Sequence, residues 1–435
     1  MPTTNESNVT LCADASLQEH FDTLITREGA GSWPPAPSYV DSWPPFFAPY
    51  HAIALQAPPL FVDASELHPS RSDDDLRPRI DGNRQWLTQQ LSTVDLDAVM
   101  QVVPTLEDAP KCGFLACLAY LAHLYRWGTL PVVRIAQDEK ELPGMPEEIR
   151  RPLTWLNKDM GIRSNGGCLY TMTLLNYHPT TGIVYSNMRH VAQVYPTAAD
   201  AEEINARVFV TMEQLATPLY RAIASLPEHL DNPTPLLEEA SAALRAAFKY
   251  FADTVKEGKL KKDVWMSHAQ GFHGWGVDDF DGVSGDHSLL IRTVDAFLAI
   301  PVHTHINKQV TWLASLKRWW NGSPTAKHSI TEIPYSNDYL PTHQVAWIDA
   351  VRRANLRAQL GDTPEIEQMV RQLKLWRLGH TRKAVYYEDL DLPERKPMTA
   401  SGGVMGGVAV TEEGDVGDMI RQLEVRLRAR VDATR

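Results

Sequence analysis

Two long amphipathic stretches lie almost back to back in the middle of the chain, and they decide its class. AADAEEINARVFVTMEQLATPLYRAIASL (198–226) and PLLEEASAALRAAFKYFADTVKEGKL (235–260) repeat apolar residues every three to four positions, the spacing that gives a helix one buried face. Pro235 falls in a first turn, where a missing N–H breaks no bond, and Glu238 and Glu239 suit the positive helix end. The same period predicts helices over 264–275, 288–300, 306–320, 342–358, 364–390 and 415–433. Upstream, CGFLACLAYLAHLYRWG (112–128) reads as a buried helix ending at glycine, and CLYTMTLLNY (168–177) as a shorter one. Strand-like alternation is confined to VVRIA (132–136) and GIVYS (182–186). The fold is therefore expected to be mainly α, with a smaller N-terminal part meeting a larger helical C-terminal part near 178–185.

The first 80 residues are Pro-rich and weakly periodic, and helical reading begins near Asn83. WPPAPSYVDSWPPFFAPY (33–50) is excluded from regular helix by its prolines, which remove donors and fix φ. It is expected to wrap over a neighbouring surface with its aromatic rings as anchors. A chain of 435 residues that is 43% hydrophobic can bury a large core, and a net charge of -12 argues against nucleic acid as the main partner. Cys12, Cys112, Cys117 and Cys168 show no disulfide or metal spacing. MPTTNESNVTLC carries no signal-peptide pattern, and no apolar run reaches the ~18 residues of a membrane span. A cytoplasmic protein away from membranes is expected, as a monomer or a homodimer.

The histidines form no HExxH or other zinc spacing, and GVMGG (403–407) lacks the lysine of a phosphate loop. Two helix faces are more informative. In the stretch 365–390, His380 shares a face with Leu373, Trp376, Ala384 and Tyr387. A hydrogen-bonded core histidine accounts for that placement, and an axial haem ligand would use the same geometry. In VWMSHAQGFHGWG (264–276), Trp265, His268, Phe272 and Trp275 share another face. They read either as plain core or as an aromatic pocket with one polar group. The Gly-rich GWGVDDFDGVSGDHS (274–288) follows, where small residues let backbone approach a flat ligand.

Taken in order, these stretches resemble the indoleamine 2,3-dioxygenase family. GFHGWGVDDFDGVSGDHSLLIRTVDAFLAI (271–300) is similar to the family's SGW element, its glycine–serine turn and the buried helix with an Asp. DYLPTHQVAWIDAV (338–351) resembles the segment after the pocket, and LWRLGHTRKAVYYE (375–388) the helix of the proximal histidine. SGGVMGG (401–407) stands where the family has its mobile Gly-rich loop. A looser match covers roughly 83–433. The resemblance implies a two-domain fold: a Pro-rich extension over 1–80, a small N-terminal domain over 81–180, and a large helical haem-binding domain over 181–435. It implies haem b as cofactor, with O2 and an indole-type molecule as substrates, and insertion of both oxygen atoms across the C2–C3 bond.

By the same resemblance His380 is the proximal iron ligand. Ser284 and Gly285 stand beside haem and substrate, Trp265 lines the pocket, and Gly402, Gly403, Gly406 and Gly407 belong to the lid. Arg292 is a further cofactor-binding candidate, Phe272 a substrate-contact candidate, and His268 a candidate partner for the indole N–H. The departures bear on the substrate. The family's carboxylate-binding arginine falls at Ala269, which cannot form a guanidinium–carboxylate pair, and the lid carries Val404 and Met405 in place of a threonine. A neutral or 3-alkyl indole is therefore expected. Tryptophan cleavage, a haem monooxygenation or ring rearrangement, and a non-catalytic haem sensor are the alternatives.

Overall fold

The computed structural model describes residues 15–61, 73–127, 144–164, 167–264, 283, 285–301, 337–388, 427–428 and 430–434. Among them the chain is predominantly α-helical. No helix among the described residues is long and apolar enough to cross a membrane.

Helices begin well before Asn83. Helix α1 (Leu17–Thr23) starts at a capping box, with Glu19 N–H donating to Ser16 Oγ at 3.2 Å and Ser16 N–H to Glu19 Oε2 at 2.6 Å. It runs into a wider turn, Leu24–Glu28, that stops at Gly29. A Cβ on Gly29 would lie 1.8 Å from the Ser32 carbonyl oxygen, so only glycine lets the chain double back there. Helices α2 (Ala48–Phe61) and α3 (Asp73–Leu91) follow. Pro49 sits in the first turn of α2, where a missing donor breaks nothing. The aromatic segment anchors as its composition predicts. Phe47 stacks on Phe114 at 4.3 Å, and Trp43 and Tyr50 meet the same ring edge-on at 5.5 and 5.0 Å.

Phe114 belongs to α5 (Asp108–Trp127), which follows the short α4 (Leu96–Val102). Every residue from Lys111 to Tyr125 is buried. Cys112 and Cys117 serve there as small apolar side chains, their thiols pushed up to about 12 by burial. Helix α6 (Glu147–Met160) packs on α5 and ends at Gly161, whose φ of +76° is left-handed and whose Cβ would collide with Thr342 Oγ1. Within 168–177 the expected helix is present but short and widened, a single π-helical turn over Tyr170–Leu174. Asn176 leaves the turn to bridge Tyr185 through its side chain, at 2.8 and 2.9 Å. The strand expected in GIVYS is the second arm of a two-residue hairpin, β1 (Tyr177–His178) and β2 (Gly182–Ile183). VVRIA and the helices expected over 264–275 and 306–320 lie outside the described residues, apart from Val264 at the start of the first.

The two amphipathic stretches form α7 (Pro196–Ser225) and α8 (Thr234–Thr254), the most extensive helix pair among the described residues. Helix α7 has 30 residues and is about 45 Å long. Near its start, Glu202 accepts from the Asn187 and Met188 amides at 2.8 and 3.1 Å. Glu203 accepts from the Ile183 amide and the Tyr177 hydroxyl, at 3.0 and 3.1 Å. Helices α9 (Leu289–Phe297), α10 (Thr342–Ala354), α11 (Leu356–Leu360) and α12 (Pro364–Glu388) complete the order. The helix expected over 342–358 breaks at Asn355, which adopts φ +45°. Helix α1 packs against both α7 and α10, so the two ends of the chain share one buried cluster, from Leu17 to Leu373.

Glu28 makes the tightest link between those ends. Fully buried, its Oε1 accepts from the Gln344 amide at 3.0 Å and lies 3.2 Å from His343 Nδ1, without hydrogen-bond alignment to the ring. It thus caps α10 from 316 residues away. Burial raises its carboxyl above the ordinary glutamate value of 4.5, against the opposing effects of His343 and Gln344. A raised folded value means that its contribution to stability is complete below pH 4.5 and is lost as pH rises through that value. Urea unfolding of the parent and Glu28→Gln between pH 4.5 and 7 should show the parent losing ground to the variant as pH rises. The opposite trend would mean that the carboxylate is net stabilised in place.

Candidate functional site

Helix α12 carries Glu365 and Glu367 in its first turn, favourable at the positive helix end. Ile366, Met369, Leu373, Arg377 and Thr381 are buried along it, and the helix packs on α8. His380 is half-buried. Its ring stacks on Trp376 at 5.1 Å and 24°, and Trp376 stacks in turn on Phe248 of α8 at 5.0 Å and 15°. Phe251, one turn along α8, meets Trp376 at 5.7 Å and His380 at 5.9 Å. The imidazole therefore belongs to an aromatic stack at the α8–α12 junction. Of the predicted companions, Leu373 and Tyr387 are buried, and Trp376 and Ala384 half-buried. Trp376 Nε1 is buried without a hydrogen-bond partner among the described residues.

Three residues before His380, Arg377 points the other way. Its guanidinium grips both oxygens of Asp295 on α9, at 2.6 and 2.7 Å, with the two side chains only 5% and 2% exposed. Its second nitrogen donates to Thr434 Oγ1 at 2.5 Å and to the Arg430 carbonyl at 3.3 Å. Both contacts to Asp295 come from a single nitrogen, Nη2, and a buried charge-assisted contact of this kind holds the two helices together at that point. Helix α9 is buried on all sides and is entered through the tight turn Gly285–His287. A Cβ on Gly285 would meet Phe209 of α7 at 3.5 Å, an ordinary contact, so that ring lies over the turn. His287 stacks on Tyr339 at 4.1 Å.

The start of α9 is held by a buried carboxylate on α7. Glu213 Oε1 accepts from Ser288 Oγ at 2.9 Å and from the Leu290 amide at 3.1 Å, while Oε2 accepts from Tyr220 at 2.5 Å. Burial raises its carboxyl, and these hydrogen bonds offset part of the rise. Arg292, one turn into α9, is buried and donates to Asn337 Oδ1 at 3.5 Å. That contact ties α9 to the segment before α10.

Of the candidates read from sequence, His380, Gly285 and Arg292 lie in described segments, on α12, on the turn before α9 and on α9. Trp265, His268, Ala269, Phe272, Ser284, Gly402, Gly403, Gly406 and Gly407 lie outside the described residues. Arg377 and its pairing with Asp295 went unread, as did Glu213 and Phe209, although the Asp of that buried helix was noted. For the first pair a signal existed: a guanidinium inside an apolar stripe and a carboxylate inside LLIRTVDAF each call for a buried partner. No group of three or more His, Cys, Asp or Glu among the described residues could hold a metal ion. No protein-family model matches this chain, and no curated protein sequence does.

Proposed function

We propose that this chain is a haem-dependent oxygenase of the indoleamine 2,3-dioxygenase type that cleaves the pyrrole ring of a neutral or 3-alkyl indole. Within this reading the chain is divided as the resemblance implies, with the haem domain over 181–435. The observation that carries it is the buried Arg377–Asp295 ion pair. It joins two stretches that resemble the family separately, the helix after the glycine turn and the helix of His380. A porphyrin supplies four ligands to its own iron, so the protein needs one axial donor rather than a metal cluster. A half-buried imidazole backed by Trp376 and Phe251, on a helix locked by a buried ion pair, fits that single-donor requirement. His380 is accordingly the residue that would hold haem, and bound haem would supply the activation of O2.

The chain's own residues do the rest. The aromatic stack on α8 and α12 keeps the imidazole at a fixed tilt and shields one side of it from water. Rigid placement of a donor lowers the reorganisation needed on binding. Where the resemblance puts the family's carboxylate-binding arginine, the sequence has Ala269, which offers no cation. An amino-acid carboxylate entering an apolar site there loses hydration without gaining a charge-assisted hydrogen bond. A missing partner of this sort costs about 2–5 kcal/mol. We therefore expect kcat/KM for indole or 3-methylindole to exceed that for L-tryptophan by at least about tenfold. Competition of both substrates in one aerobic reaction, with products separated by mass and 18O2 supplied, measures the ratio and counts the oxygen atoms inserted. Preference for tryptophan would overturn the neutral-substrate assignment, and a single labelled oxygen would overturn dioxygenation.

A further inference from the structure

Helix α9 is nine residues long, about 13 Å, and is pinned near both ends by buried charge. At its start Glu213 of α7 takes the Ser288 hydroxyl and the Leu290 amide on one carboxylate oxygen. Near its end Asp295 takes the guanidinium of Arg377, three residues before His380. A nine-residue helix fixed at two such points has little freedom to slide or rotate. A change at one pin is therefore carried to the other. Ser288 makes no side-chain cap of its own helix, so the distant Glu213 does the capping that a local residue usually does. Sequence-local capping would have served stability equally well. Capping from α7 instead ties the turn at Gly285, beneath the Phe209 ring, to the helix that bears the haem-ligand candidate.

We propose that Glu213 is a positioning residue for the active site: by clamping the start of α9 it sets the Gly285 turn and, through the buried Asp295–Arg377 ion pair, the placement of His380. This rests on the oxygenase reading for its catalytic meaning, while the mechanical coupling stands on the contacts alone. Glu213→Met keeps the length of the side chain and removes both acceptors. Glu213→Gln can keep its oxygen toward Ser288 and Leu290 and turn its amide toward the Tyr220 oxygen, so it serves as the conservative rescue.

Amide hydrogen exchange on the haem-free protein reads the coupling without any cofactor. In Glu213→Met we expect exchange to speed at least tenfold over 289–297 and over 373–382, with 108–127 unchanged, and Glu213→Gln to stay within threefold of the parent. Faster exchange confined to 289–297, or spread evenly over the chain, overturns the coupling. If Glu213→Met does not fold, Ser288→Ala, which deletes one of the two bonds at the start of α9, should give the same pattern at threefold or more. In haem-loaded protein, carbon monoxide bound to the reduced iron probes the pocket. Its stretching band should broaden or split in Glu213→Met and return to the parent shape in Glu213→Gln. An unchanged band in Glu213→Met would confine Glu213 to a structural role. A parent that takes up no haem would refute the oxygenase reading, and the exchange pattern would still decide the coupling.

Discussion

Asp295→Ala should destabilise the fold by about 3–5 kcal/mol, because it strands the Arg377 guanidinium in a site that is only 5% exposed. That is a large share of the roughly 5–15 kcal/mol that holds a domain together, and corresponds to about a hundred- to several-thousand-fold in the folding equilibrium. Arg377→Ala should cost at least as much, since it also releases Thr434 and the Arg430 carbonyl. The double variant Asp295→Leu with Arg377→Met should recover most of the loss, because paired apolar groups leave no charge to solvate. Urea unfolding followed by far-UV circular dichroism measures all three. Single variants within 1 kcal/mol of the parent would mean that water reaches the pair.

His380→Ala should leave the fold nearly intact and abolish tight haem retention. Its half-buried ring contributes contacts with Trp376 and Phe251 worth about 0.5–1.5 kcal/mol in all. Removing only a group that hydrogen-bonds to a metal ligand typically weakens metal binding 10–100-fold, so on the oxygenase reading loss of His380 should weaken haem binding by at least about a hundredfold. Haem titration, together with the ferrous absorption spectrum, separates this outcome from general unfolding. A histidine-ligated spectrum persisting in His380→Ala would refute the ligand assignment.

The contrast between Asp295 and His380 also marks what the sequence could reveal. The period that puts Leu373, Trp376, Ala384 and Tyr387 beside His380 is local, so the face of α12 was legible. Arg377 lies on the same helix and was passed over, because an arginine in an amphipathic pattern is ordinarily a solvated residue. Glu202, Glu203 and Glu213 on α7 were illegible for a related reason. Each accepts from at least one backbone amide, of Asn187, Met188, Ile183 or Leu290, and a backbone amide leaves no mark on residue pattern. Helix α1 was overlooked although Ser16 and Glu19 spell a capping box, since the prolines further on dominated the reading of the first 80 residues. The helix expected over 168–177 is shorter than the sequence suggests because Asn176 leaves helical geometry for a partner nine residues ahead. The aromatic anchors Trp43, Phe47 and Tyr50 were legible from composition alone, since large rings between prolines have few other ways to leave water.

The link between Glu28 and the start of α10 has a consequence for synthesis on the ribosome. Its two halves are 316 residues apart. At about 5–20 residues per second, the N-terminal helix emerges roughly 16–60 s before its resting place exists. Phe21, Leu24 and the Glu28 carboxylate must pass that interval without the surface that later covers them. The α7–α8 hairpin, made of near neighbours, can form meanwhile and offer α1 half of its eventual contact. Closure of the remaining half then falls to the last third of the chain, and chaperone demand should end when residue 344 leaves the exit tunnel rather than when any earlier helix does.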